Sequence, residues 1–479
     1  MKTIPHFAFL FYIISILSTT GNSQNNTPQV LSDKGSFHTE NDAEHPCITE
    51  EQYTLLEKRC KENCKALGID HLEKSFLAVP LEWPLKPSDN MTDCGYYFVS
   101  AYADHNATAG AIQDFDCGTK TYDTHRGTDI AIWPYPFYKM DHDQVEVIAA
   151  APGTIVDKHD GEFDKNCAST NALANYVVIQ HADGSVAYYW HMKNGSITTK
   201  AIGETILTGE HVGVVASSGN ASGPHLHFEV RTGFDVSTLI DPFAGACNSW
   251  NNTSCWANQK PHNEPAILKA SVNITDVEFA PCPADEPVTE SAVFPTAFQG
   301  PGLSAGYAKF YIFMRDETVG TTVNMSIHNP NGSLFGAAWT HVCNTYYKAS
   351  YYGYSKLLPT IPGVYTFEAT YNGATCVTTF EISDDPSAGI SIIDNRSSLD
   401  VFPNPTNESI TISGADLKNG NYSFYLKNTI GQIVYEENYT VVNNMIEKHL
   451  NLTNLPEGMY FLVMDNDAEQ SIIKINKVE

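Results

Sequence analysis

The sequence predicts a mainly β protein of several domains, with one short helix near its N-terminus. Three observations carry that reading. The chain has 479 residues, too many for one ordinary core and enough for about three domains. From about Phe76 the pattern turns to short strands broken by Gly, Asn and Asp. Ahead of them, ITEEQYTLLEKRCKENCKAL carries apolar residues at helical spacing, with Thr49 as a plausible N-cap. Hydrophobic residues at 42% and aromatics at 11% are ample for packed cores. The 28 basic and 55 acidic residues give a formal net charge of -27, and so acidic a surface repels nucleic acid.

Taken in order, Lys2, an apolar run from Phe7 to Leu17 and the small residues of STTGNS read as an export signal over residues 1–23. Cleavage is expected near Ser23–Gln24, and no cysteine at that junction supports a bacterial lipid anchor. No later segment approaches the ~20 apolar residues a membrane helix needs, so no membrane span is expected after signal removal. Residues 24–75 form a polar leader and the short helix, which is a small prodomain or a brace. Within residues 76–247, EVIAAAPGTIVDKH gives two strands around Pro152-Gly153. YVVIQHADGSVAYYWHM gives a hairpin bending at Ala182-Asp183-Gly184, and HVGVVASSGNASGPHLHFEVRT gives strand, Gly/Ser-rich loop, strand. The result is an antiparallel β domain. After an Asn/Trp bridge, residues 266–384 alternate as strands, with turns at Asn331-Gly332-Ser333 and Asn372-Gly373. An immunoglobulin-like sandwich is expected there. DPSAGISIIDNRSS reads as a linker, and a small β-sandwich over residues 398–479 closes the chain. Eleven cysteines in an exported chain favour disulfides, with at least one cysteine unpaired or bonded outside the chain. Their pairing is not legible.

Most of the 17 histidines have bland surroundings, and His142, His159, His181 and His211 read as surface residues. Two clusters stand apart, His125-Arg126-Gly127-Thr128-Asp129 and His225-Leu226-His227. Zinc takes imidazole and carboxylate ligands, three from the protein in a catalytic site. On a strand, residues two apart share a face at about 6.6 Å, so His225 and His227 can address one site. Residues four apart on a straight strand lie about 13 Å from each other, too far to share an ion. RGTDIAI makes a poor helix, so a bend or bulge at Arg126-Gly127 is expected to turn His125 and Asp129 inward.

HRGTDIAI, APGTIV, NYVVIQHADGSVAYYWHM, GETILTGEHVGVVASSGNASGPHLHFEV and the closing DP resemble the lysostaphin/LytM-type zinc metalloendopeptidase family over roughly residues 95–245. The resemblance implies that His125, Asp129 and His227 bind one Zn²⁺. It implies that His191 and His225 activate the water and stabilise the tetrahedral oxyanion. No HExxH glutamate is present, so histidine chemistry is consistent with that implication. Ser217, Ser218, Gly219, Asn220 and Gly223 shape the loop beside the site or a simple turn. Two insertions depart from the family pattern, WPYPFYKMDHDQ and GEFDKNCASTNA, and both could line the groove. Tyr122 is a candidate for the family's tyrosine upstream of the first ligand.

LDVFPNPTNESITI, NTIGQIVYEE and LNLTNLPEGMYFLVMDN resemble the type IX secretion sorting domain of Bacteroidetes, at Pro403-Asn404-Pro405, Gly431 and Gly458-Met459-Tyr460. That resemblance implies engagement with the type IX secretion machinery and a secreted or cell-surface location beyond a Gram-negative envelope. Together the two resemblances imply a secreted zinc metalloendopeptidase acting on peptidoglycan stem peptides or cross-bridges, or on Gly-rich proteins. The alternative is a catalytically silent peptidase fold that binds cell walls or activates a partner.

Overall fold

The computed structural model describes residues 47–70, 79–168, 170–384 and 398–478, the last stretch without 405, 416, 418, 429–432 and 466–469. The export signal, the polar leader, the linker up to residue 397, Pro405 and Gly431 lie outside the described residues. The chain is mostly β, with a helix near its N-terminus. Among the described residues, no helix is long and apolar enough to cross a membrane.

Helix α1 (Glu50–Leu67) is framed by a capping box. The Thr49 hydroxyl accepts from the Gln52 amide at 3.2 Å, and Gln52 Oε1 accepts from the Thr49 amide at 2.9 Å. Gly68 ends it in the left-handed region, which a glycine adopts without cost. Its apolar stripe of Tyr53, Leu56, Cys60 and Cys64 is buried against Val156, Tyr176, Val178, Tyr188 and Trp190. The helix is therefore a brace lying on a sheet.

That sheet and a smaller one are formed by β1 (Leu85–Pro87), β2 (Tyr97–Ala101), β3 (Thr128–Ile132), β4 (Val145–Ile148), β5 (Gly153–His159), β6 (Asn175–Gln180), β7 (Val186–Met192), β8 (Thr205–Ile206), β9 (His211–Val214), β10 (His225–Arg231) and β11 (Leu239–Ile240). The large sheet runs β2-β3-β10-β7-β6-β5-β8 with β11 also on β10, and every pairing is antiparallel. The small one runs β1-β4-β9. Strand β10 is buried along its whole length because both faces are covered. Leu226, Phe228 and Val230 enter a core with Val177, Ile179, Tyr189 and Phe243. By strand alternation, His225, His227, Glu229 and Arg231 share the opposite face, the one α1 covers.

Residues Ala266–Asn273, Tyr307–Glu317 and Tyr347–Leu357 form a three-stranded sheet. A five-stranded sheet shares its core, through Phe310, Ile312, Phe367, Phe380 and their neighbours. The turn at Asn372-Gly373 has both residues at positive φ, as a tight hairpin requires. A three-stranded and a four-stranded sheet enclose a further core around Ile410, Phe424 and Leu462.

Several expectations need correction. The insertion WPYPFYKMDHDQ packs inward over most of its length. It forms helix α2 (Pro136–Asp141), and Trp133 and Tyr135 are buried against Phe279, Phe313 and Tyr351. His181 is not a surface residue: it is fully buried in the β6–β7 turn, and its Nδ1 donates to Pro152 O at 2.8 Å. Three disulfides are present, Cys94–Cys376, Cys117–Cys247 and Cys167–Cys282. Cys47, Cys60, Cys64, Cys255 and Cys343 are free and buried.

Candidate active site

Strand pairing puts the first two residues of the site together. Asp129 on β3 sits directly across from His227 on β10. Such partners point to the same face with Cβ atoms about 5 Å apart. Asp129 Oδ1 lies 2.8 Å from His227 Nδ1.

His125 reaches them by a turn ahead of β3. Its amide bonds Tyr122 O at 3.2 Å, and Thr124 takes a positive φ of 64°. The chain does bend at Gly127, as expected, but the bulge falls on the neighbouring strand, between Val99 and Ala101 of β2. His125 Nδ1 donates to Tyr102 O at 2.7 Å, which leaves Nε2 as a bare lone pair. That atom stands 3.2 Å from His227 Nδ1 and 3.1 Å from Asp129 Oδ1. The three donors thus form a triangle with edges close to 3 Å. A tetrahedral ion with ligands at 2.0–2.1 Å needs edges of roughly 3.3 Å, so the donor set fits one small metal ion.

His191 joins the face by a different device. Between β6 and β7, Trp190 and His191 together oppose Tyr176 alone, a bulge that breaks the two-residue alternation. His191 takes a positive φ of 72°, a conformation an imidazole residue adopts only when its surroundings enforce it. Its Nδ1 donates to Ser218 O at 2.6 Å, and its fully buried Nε2 has no hydrogen-bond partner. His225 follows the same rule, with Nδ1 donating to Gly223 O at 2.9 Å and Nε2 lying 3.8 Å from Asp129 Oδ1. The two rings sit 4.5 Å apart between centroids.

The loop that fixes them is itself held. Ser218 Oγ donates to Met192 O and accepts from the Asn175 amide. Asn166 and Thr170, both from the insertion GEFDKNCASTNA, donate to Gly219 O at 2.9 Å. This second insertion buttresses the loop.

Behind His227, Nε2 stands 3.5 Å from Glu229 Oε2, which accepts from Tyr53 of α1 at 2.6 Å. Arg231 Nε donates to Glu229 Oε1 at 2.5 Å. Burial would raise the Glu229 carboxyl, but Arg231 and His227 hold it down at about 2. Tyr122 stacks on His125 at 4.2 Å, and its hydroxyl donates to Asp129 Oδ2 at 3.2 Å. Burial would likewise raise Asp129, yet His125 and His225 keep it well below the usual carboxylate range. Burial and the neighbouring His225 lower His191. His225 itself is pushed up to about 9, because Asp129 and Cys47 outweigh its burial.

One participant has no signal in the motifs. Cys47, just ahead of α1, places Sγ 3.8 Å from both Asp129 Oδ2 and His225 Nε2, and 3.0 Å from the Tyr122 hydroxyl. Only the fold brings it to the histidines, across 78 or more positions of sequence.

Gly127 is required by close approach. A Cβ there would lie 2.7 Å from Phe228 O and 2.8 Å from His227 Cε1. Gly127→Ala is therefore expected to push His227 out of the triangle and weaken metal retention by about 10–100-fold, as loss of a supporting contact does. Metal content after dialysis, checked beside an unchanged circular dichroism spectrum, reads this directly. Full retention would contradict it.

A His/Asp/His triangle flanked by two further imidazoles is a set of donors that one metal ion can bind. Comparison with known proteins places a peptidase-family domain over these residues. Residues 123–242 match peptidase family M23, and residues 400–477 match the secretion system C-terminal sorting domain. The chain carries an M23-type peptidase domain, of the LytM/lysostaphin kind, and a type IX sorting domain that marks it for export to the cell surface or outside. It is 31% identical over 99 residues to the cell division protein DipM of Caulobacter vibrioides, a match covering 20% of this chain and 16% of that one. It is 34% identical over 55 residues to the peptidoglycan DD-endopeptidase ShyC of Vibrio cholerae, covering 12% of each. The chain thus spans under a fifth of the length of these curated relatives. The lysostaphin catalytic domain from Staphylococcus simulans is similar at 21% identity and TM-score 0.20, over 33% of this chain and 96% of that one.

Proposed function

We propose that the chain is an exported zinc metalloendopeptidase that hydrolyses peptide bonds in peptidoglycan stem peptides or cross-bridges, or in Gly-rich proteins. Residues 76–247 carry the catalysis in this reading, residues 266–384 form a separate β module, and residues 398–479 serve export. The observation that supports it most is the convergence of His125 Nε2, Asp129 Oδ1 and His227 Nδ1 beside two imidazoles with inward Nε2 atoms.

His125, Asp129 and His227 would hold the zinc, which when bound polarises the scissile carbonyl and acidifies a water. The remaining work falls to the chain's own side chains. His191, neutral and with its tautomer fixed by Ser218 O, offers a bare Nε2 that takes a proton from the attacking water and passes it to the leaving amine. His225, whose pKa is raised, presents an Nε2–H suited to the oxygen on which negative charge develops. Glu229 stands 3.5 Å behind the His227 ring as a charged neighbour, and Tyr122 restrains Asp129.

The test is hydrolysis of purified peptidoglycan and oligoglycine peptides together with zinc content. Because Cys47 faces the site, cleavage is read both in the native chain and in a Cys47→Ala chain. His191→Ala and His225→Ala are expected to keep their zinc and to lose cleavage by about 10²–10⁴-fold. Cleavage undiminished in either variant would contradict that histidine's role. A chain that holds zinc, folds normally and cleaves nothing even with Cys47→Ala is a silent binding module.

A further inference from the structure

We infer that Cys47 is a fourth ligand to the metal and that it holds the site shut. This rests on the zinc reading of the site and goes beyond it.

The donor geometry comes first. Cys47 Sγ, His125, Asp129 and His227 each offer a ligand atom, and all four atoms lie within 4.8 Å of one another. Tetrahedral coordination with a Zn–S bond near 2.3 Å and Zn–N bonds near 2.05 Å needs S···N edges of about 3.5 Å. The thiol stands 3.8 Å from Asp129 Oδ2, the second oxygen of the carboxylate whose Oδ1 belongs to the triangle. Cysteine is a strong zinc ligand, and a site closed by four protein ligands is the structural kind that leaves no position for water.

A second observation is independent of the cysteine. His191 Nε2 is buried, has no hydrogen-bond partner, and lies with His225 and the Cys47 thiol in a second group of donor atoms within 4.8 Å of one another. The thiol therefore occupies the space between the two assisting histidines and the metal triangle, where a water and a substrate carbonyl would have to stand. Access agrees with this. His125, Asp129, His191, His225 and His227 are all 8% exposed or less. An enzyme that cuts a polymer cannot work with its groups so covered.

The sulfur is held there by α1. Tyr53 donates to Glu229, Glu57 meets Arg231 at 3.2 Å, Arg59 meets Asp157 at 2.8 Å, and Asn63 donates to Val156 O at 2.8 Å. Arg126, next to His125, pairs with Glu50 in the first turn. Ile48 is buried beside the thiol, and the Thr49 capping box fixes how the chain enters the helix. The brace and the plug are thus one segment, docked on the peptidase sheet through several contacts. Metal binding would release the thiol proton to solvent, leaving the thiolate as ligand. Catalysis then requires Cys47 to be withdrawn from the metal. If the open form makes up roughly 1–10% of the chains, opening the site raises cleavage by about 10–100-fold.

The experiment uses the full chain loaded with cobalt(II) or zinc, with Cys47→Ala and Cys47→Ser as variants. Point substitution keeps α1, whose removal would uncover the sheet. Wild type with cobalt is expected to show a thiolate-to-metal charge-transfer absorption that both variants lack. Cys47 should resist iodoacetamide while metal is bound and react after chelation, read by mass spectrometry of its peptide. Cys47→Ala should cleave about 10–100-fold faster than wild type. Bound metal without the absorption, or with an equally reactive Cys47, overturns the ligand assignment and leaves the zinc site standing. The absorption without faster cleavage by Cys47→Ala overturns the latency. Absence of metal from wild type and both variants overturns the zinc reading itself, and this inference with it.

Discussion

His227→Ala, made in a Cys47→Ala chain, is expected to lose both its zinc and its cleavage of peptidoglycan. The imidazole supplies one of three donors, and its Nδ1 lies 2.8 Å from Asp129 Oδ1. Without it, two donors remain for an ion that needs at least three from the protein. The loss in metal affinity should exceed the ~10–100-fold that follows removal of a mere supporting group. The contrast with His225→Ala gives the result its meaning. Both residues are buried on the same strand two positions apart, so a general disturbance of β10 would affect metal content in both variants. Only a ligand role separates them. Metal analysis after gel filtration, with the peptidoglycan assay alongside, checks this. Full zinc in His227→Ala would contradict the ligand set.

The second large effect is on stability. Glu229→Ala is expected to lower the stability of the peptidase domain by about 3–5 kcal/mol, because it strands Arg231. Arg231 is fully buried, donates from Nε to Glu229 and lies over the rings of Tyr53 and Tyr188. Its other polar contacts, to Phe234 O at 2.7 Å and Glu57 Oε1 at 3.2 Å, remain and keep the loss within that range. The same change frees the Tyr53 hydroxyl, so α1 should loosen from the sheet. Urea unfolding followed by tryptophan fluorescence reports the first effect, since Trp190 lies in the core that α1 covers. Increased labelling of Cys47 reports the second. An unchanged unfolding midpoint would contradict the role of the pair.

How legible all this was depends on which forces act locally. His225 and His227 declare themselves because a strand repeats every two residues, and that rule needs no tertiary information. The hairpin of β6 and β7 and the cap of α1 follow from turn and capping chemistry, which is also local. His191 could be named only by resemblance. Its place on the site's face depends on a bulge that no alternation rule foresees. The bend at Gly127 was legible as a necessity, whereas the close approach of Phe228 O that demands a glycine was not. Cys47 was invisible as a site residue because its part is set by the docking of α1. The aromatic insertion misled for a similar reason, since Trp133 and Tyr135 meet their partners some 140 residues or more further along. Disulfide pairing, such as Cys94 with Cys376, likewise depends on how distant segments meet.

The most direct test is the zinc content of the purified full chain after exhaustive dialysis, compared with a His125→Ala, Asp129→Ala double variant of equal foldedness. One zinc per native chain and none in the variant is the expected result. A native chain that, offered zinc at neutral pH, retains no more than the variant would contradict a metal centre at His125, Asp129 and His227.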